Sequence, residues 1–164
     1  MNSALTIQKY LALNKGKYLR ETAKFPRIKS NIYVTTHLET ASTNLLHYHE
    51  TAHLSFVLHG GVIDKRKLNE TEKTSGELMF FHAGEPHESI YKGFPVKNIN
   101  IELEHNFFCE NELDERGFSP TFTTNPNAKF SMLKIYKELT ENDEFSNCSI
   151  EMLLIGLIDD KKLG

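Results

Sequence analysis

Six short stretches rich in β-branched and aromatic residues, at 31–38, 53–59, 61–67, 76–81, 87–92 and 96–104, are separated by turn-forming residues. Such runs predict strands, and six of them before any helical period predict an all-β front half. Within 53–59, Leu54, Phe56 and Leu58 alternate with His53, Ser55, Val57 and His59. Alternation of this kind gives a strand one apolar face and one mixed face, and the mixed face is the candidate lining of a cavity. Gly60-Gly61 lies between two runs and predicts a hairpin, because glycine enters positive φ without steric cost. From Asn125 the period changes. Asn125-Pro126 provides a cap and a first helical residue, and Met132, Ile135, Tyr136 and Leu139 fall on one stripe. A second stripe follows Asn147, with Ile150, Leu153, Leu154, Leu157 and Ile158 at i, i+3, i+4, i+7 and i+8. Two amphipathic helices therefore close the chain, either covering the β unit or burying the leucine-rich face of the second helix against a twin, where Gly156 permits close approach. Residues 105–124 show no clean period and predict a packed loop over one mouth of a barrel. The chain divides into a β part, 1–124, and a helical segment, 125–164, within one domain.

Composition narrows the classes. A chain of 164 residues with 39% hydrophobic and 25% charged positions suits one globular domain. A formal net charge of −3, with Lys and Arg spread along the sequence, leaves no basic footprint for wrapping nucleic acid. Cys109 and Cys148 are too few for a disulfide framework and form no close-spaced metal motif, so both are expected as thiols. No apolar run near the amino terminus reaches signal-peptide or membrane length, which makes the cytoplasm the expected location and gives no reason to expect a membrane partner.

The chemistry concentrates in histidine. His47, His49 and His53 are separated by even numbers of residues, so in an extended segment they share a face. The run Gly76-Glu-Leu-Met-Phe-Phe-His-Ala-Gly-Glu-Pro-His87 reads as a strand, a tight turn at Ala83-Gly84-Glu85-Pro86, and a second strand opening on His87. His47, His49, His53 and His87 are thus the candidate ligands of one metal ion, which in an imidazole set is Zn²⁺, Ni²⁺, Fe²⁺ or Cu²⁺. Four neutral nitrogens leave the double charge of such an ion uncompensated, which favours an anionic effector or substrate. His37, His59, His82 and His105 fall outside the pattern and are expected at strand ends or turns. Glu50, Glu85 and Glu88 are expected as solvated carboxylates, and Ser42, Ser55 and Ser89 lack the setting of a nucleophile.

The two histidine blocks resemble those of the cupin superfamily. His47-Tyr48-His49, His53 and Gly60 fill the first motif, and Gly76, Gly84 and His87 the second. Ala41 stands where that family has a leading glycine, His53 where it has glutamate, His82 where it has proline, and Tyr91 where it has asparagine. The resemblance implies an all-β double-stranded β-helix, a jelly-roll barrel, followed here by the two helices. Residues 47–61, 75–87 and 98–104 further resemble the amino-terminal sensing domain of AraC-type transcriptional regulators. That likeness implies a small-molecule effector in the barrel, a homodimer formed through the helices, and DNA binding only through a carboxy-terminal domain beyond this sequence. The alternative is a stand-alone metal-dependent cupin enzyme, a dioxygenase or isomerase, using the same four histidines.

Overall fold

A computed structural model describes residues 10–15, 17, 21–27, 30–37, 45–118 and 126–159. Among these residues eight strands run as β1 (Leu11–Leu13), β2 (Glu21–Arg27), β3 (Ser30–His37), β4 (His47–His49), β5 (Ala52–Arg66), β6 (Glu70–Thr74), β7 (Leu78–Phe81) and β8 (His87–Leu103). Helix α1 (His105–Glu110), a 3₁₀ turn (Glu115–Gly117), α2 (Pro126–Glu141) and α3 (Ser146–Asp159) follow. The strands form one curled mixed sheet, the jelly-roll barrel expected, with the two long helices after it.

The spine is an antiparallel ribbon of β5 and β8, paired from Ala52↔Leu103 to Arg66↔His87. Along its outer edges β7 pairs with residues 53–56 of β5 and β6 with 61–65, while β3 pairs with 96–102 of β8 and β4 meets it at His47↔His87. The hairpin expected at Gly60-Gly61 does not form: 52–66 is one strand, and 87–92 and 96–104 also merge into one. The glycine conformation is used for a bulge instead. Register shifts fall between Val57 and His59 and between His59 and Gly61, Gly60 has φ +80°, and Gly93 on the facing strand has φ +72°. Bulges and glycine kinks curl a sheet that would otherwise run flat. Pro95 lies between Gly93 and Val96, where β8 has no ladder partner to donate to.

Added bulk separates the two kinds of glycine in this fold. A Cβ on Gly60 would lie 2.8 Å from Val96 Cγ2 and 2.9 Å from the Gly93 carbonyl, whereas one on Gly84, at φ +74°, would meet nothing within 4 Å. Gly84→Ala is therefore expected to cost only the left-handed backbone term, about 1–2 kcal/mol. Gly60→Ala should cost clearly more, and equal shifts in thermal melting would contradict the corner assigned to it.

The main core lies outside the barrel. Leu54, Phe56, Leu78, Phe80, Ile99 and Ile101 point away from the interior and pack against Phe107, Met132, Ile135, Leu139, Ile150 and Leu154 of the helices. This explains the apolar face read in 53–59 and corrects two expectations. Ile150, Leu154, Leu157 and Ile158 are buried within the chain's own core, so the leucine-rich stripe of α3 is not the face offered to a twin. Residues 105–118 are packed, but as a helix and a 3₁₀ turn whose Phe107, Phe108 and Phe118 join the outer core; residues 119–125 lie outside the described part. The interior holds a smaller apolar cluster of Val57, Val62, Met79, Phe81 and Val96. Among the described residues no helix is long and apolar enough to cross a membrane.

Candidate metal centre

Strand geometry brings the histidines together. β4 places His47 and His49 two apart on one face, the cross-strand pairing His47↔His87 sets β8 beside them, and a bend at Glu50–Thr51 brings His53 in from the start of β5. Each of His47, His49 and His87 offers a ring nitrogen, and these atoms lie within 4.8 Å of one another. Ring centroids are 4.3 Å apart for His47 and His87, 5.2 Å for His47 and His49, and 5.5 Å for His49 and His87. His53 is outside this three-way group. Its ring stands 4.4 Å from His49 and 6.2 Å from His87, stacked on Phe81 at 4.6 Å and 11°.

Two of the tautomers are fixed by the backbone. His47 Nδ1 lies 2.7 Å from the Leu45 carbonyl and His87 Nδ1 3.0 Å from the Glu85 carbonyl. A carbonyl oxygen only accepts, so Nδ1 carries the proton in both rings and Nε2 keeps its lone pair, the arrangement that orients metal-binding histidines generally. Burial then holds the rings neutral. Desolvation is the first cause in all four: it lowers His47, takes His49 to about 3 with further lowering by His47, and puts His53 and His87 well below the usual imidazole value. The chemistry of this donor set fits a borderline transition-metal ion.

The cavity bounded by the four histidines has a volume of about 40 Å³. One water needs roughly 10–15 Å³ of such space, so the room amounts to about three waters. Beyond the histidines the lining carries polar Thr35, Ser55, Ser89, Tyr91, Asn98 and Asn100 beside apolar Leu13, Val62, Met79 and Phe81, and among the described residues that line it there is no carboxylate. Asn100 Nδ2 donates to Thr35 Oγ1 at 2.9 Å, and Asn98 Nδ2 faces Ser55 Oγ at 3.5 Å. A sequence signal for this wall exists in β8, where polar Asn98 and Asn100 alternate with apolar Ile99 and Ile101: the polar pair faces inward because the helices cover the other side.

Charged groups beside the cavity depart from expectation. Glu85 is no free carboxylate: both its oxygens accept from Arg66 Nη1 at 2.9 Å. Arg66 also pairs with Asp64 at 2.6 Å, Asp64 being buried and Arg66 partly so, and burial raises Asp64 against the opposing pull of Arg66. The turn before His87 spans His82–Glu85, closed by Glu85 N donating to the His82 carbonyl at 3.1 Å, one residue earlier than read from sequence. Gly84 supplies its positive φ. Glu50 is exposed as expected and Glu88 half-buried. His37 ends β3, His105 opens α1, and His82 lies in the turn, its Nδ1 3.4 Å from Glu115 and its Nε2 3.1 Å from the Phe118 carbonyl. His59 differs, sitting within β5 at the bulge. Cys109 and Cys148 are exposed thiols.

No family model and no curated protein matches the chain. Solved structures do. Apo ToxT K231A from Vibrio cholerae is similar over 83% of this chain and 56% of its own, with a TM-score of 0.65 at 8% identity. The AraC-like transcriptional activator CuxR is similar over 84% of this chain and 55% of its own, with a TM-score of 0.57 at 11% identity. A cupin-2 domain protein from Shewanella frigidimarina aligns with 51% of this chain and 80% of its own, at a TM-score of 0.44 and 15% identity. The chain thus shares the fold of the aligned parts of ToxT and of the AraC-like activator CuxR, and it spans just over half the length of each.

Proposed function

We propose that this chain is the ligand-sensing and dimerising domain of an AraC-type transcriptional regulator, with a divalent transition metal held in the barrel by His47, His49 and His87. The observation that carries the regulator reading is the extent of the likeness to CuxR, 84% of the chain at a TM-score of 0.57, which goes beyond a bare barrel. The metal would supply a Lewis-acidic double charge; the chain's own residues present three neutral nitrogens and exclude bulk water. With no carboxylate among the described residues that line the cavity, a small anion or a few waters would complete the ion, and the volume admits little more. In a regulator of this type DNA contact belongs to a domain outside this sequence, consistent with a net charge of −3 here.

The fold gives such a ligand a short route to the helices. His53 and Ser55 of β5 line the cavity while Leu54 and Phe56, one residue along, pack in the core shared with α2 and α3. A shift of β5 on ligand binding therefore moves both sides of the sheet together and biases helix packing. Since the leucine stripe is internal, the face of α3 left for a twin carries Cys148, Met152 and Gly156 at i, i+4 and i+8, all exposed. Met152, at 68% exposure, is the large apolar residue on it. Sedimentation or light scattering should find a dimer that Met152→Asp converts to monomer; a wild-type chain that is monomeric with and without metal would contradict the dimerising role.

The competing reading, a metal-dependent cupin enzyme, is favoured by one feature: three nitrogen ligands leave coordination positions open, as in catalytic metal sites. Metal-loaded protein that consumes a small anionic ligand, rather than retaining it unchanged, would decide for the enzyme.

A further inference from the structure

His87 is held from two sides by one guanidinium. Arg66, the last residue of β5 and the register partner of His87, donates Nη1 to both Glu85 oxygens at 2.9 Å, Nη2 to the Phe80 carbonyl at 2.9 Å and Nε to Asp64 Oδ2 at 2.6 Å. Glu85 is the residue whose main-chain carbonyl takes the Nδ1 proton of His87, and its Oε2 accepts from the His82 amide at 3.1 Å, tying down the turn. On the other side the guanidinium lies 4.5 Å from the centre of the Phe81 ring, and that ring abuts His87 at 4.3 Å while stacking on His53. Among the described residues, the guanidinium contacts of Arg66 other than that to Asp64 thus all fall in the segment Phe80–Glu85 that leads into His87. A planar fork can meet a carboxylate with two oxygens, a second carboxylate and a carbonyl at once in fixed directions; an ammonium on a flexible stem cannot.

We propose that Arg66 is a positioning residue for the metal centre, setting the tautomer and ring orientation of His87 through Glu85 on one side and Phe81 on the other. The proposal rests on the metal reading given above. An ion network serving stability alone would have no need to grip the residue that accepts the His87 proton, and its loss would be felt regardless of whether His87 is present. Outer-shell partners of metal-binding histidines commonly change affinity by about 10–100-fold when altered, and this is the effect expected of Arg66.

The test uses the whole chain and two substitutions that leave no buried charge unpaired through loss of volume, Arg66→Lys and Glu85→Gln, with His87→Ala as reference. Co²⁺ affinity, read by absorption and by competition with Zn²⁺, should fall about 10–100-fold in Arg66→Lys and similarly in Glu85→Gln. Arg66→Lys combined with His87→Ala should match His87→Ala alone to within about twofold, because a residue that acts through His87 has nothing to add once that ring is gone; independent effects would instead multiply. The second readout needs no metal: ¹H–¹⁵N spectra of the imidazoles should show one neutral Nδ1–H form of His87 in the wild type and a tautomer mixture in Arg66→Lys. Unchanged affinity in Arg66→Lys, or an equal fall with His87 already removed, would overturn the proposal. If the wild type takes up no Co²⁺, the metal reading fails, and the His87 tautomer alone then decides for or against Arg66.

Discussion

His87→Ala is expected to lower the affinity for Zn²⁺ or Co²⁺ by more than about 100-fold, beyond the range typical of outer-shell changes. His47→Ala and His49→Ala should do the same, since the three nitrogens lie within 4.8 Å of one another and each is a third of the set. His53→Ala should cost less. Its ring, 6.2 Å from that of His87 and stacked on Phe81, packs beside the group, so a loss within about 10–100-fold is expected. Competition with a chromophoric chelator measures all four. Equal losses would make His53 a fourth ligand, as the even spacing of 47, 49 and 53 first suggested, and no loss in any variant would remove the metal from the account.

Acid should unfold the metal-free protein over a range set by these same rings. A histidine with a folded-state value below its unfolded value of about 6.5 binds its proton more readily when unfolded. The stability it supports is therefore full above that pH and is lost as pH falls toward the folded value, about 3 for His49. At pH 5 the His49 contribution alone amounts to about 2 kcal/mol, at 1.36 kcal/mol per pH unit. His47, His53 and His87 act in the same direction. Against a usual total of about 5–15 kcal/mol, this predicts a large fall in the urea midpoint between pH 7 and pH 5. Asp64, raised by burial, opposes it at lower pH. Bound metal should flatten the curve down to the pH at which protons displace it, because the ion stabilises only the folded form. Stability that stays level from pH 7 to pH 5 without metal would contradict the buried neutral cluster.

What the sequence made legible was periodicity. The alternation in 53–59, the shared face of 47 and 49, and the stripes of α2 and α3 all follow from two repeats, 2.0 and 3.6 residues, and the structure contains them where they were read. What it hid was pairing between distant segments. Gly60-Gly61 has the composition of a turn, and only the presence of β8 as an unbroken partner makes it a bulge. Ile150, Leu154 and Leu157 fit a cover over the barrel as well as an interface with a twin, and only the outer face of β5, β7 and β8 decides for the cover. Glu85 read as a solvated acid because Arg66, its partner nineteen residues earlier, has no local signal. The polar side of β8, Asn98 and Asn100, was legible in principle: alternation was present, and the inward direction of its polar face was the missing piece.

Anomalous diffraction from crystals grown with Zn²⁺ and recorded at the zinc edge tests the metal centre most directly. One peak is expected inside the barrel, about 2.0–2.1 Å from Nε2 of His47 and of His87 and from a ring nitrogen of His49. A barrel without such a peak, with zinc only at surface positions such as His105 and Cys109, would contradict that centre.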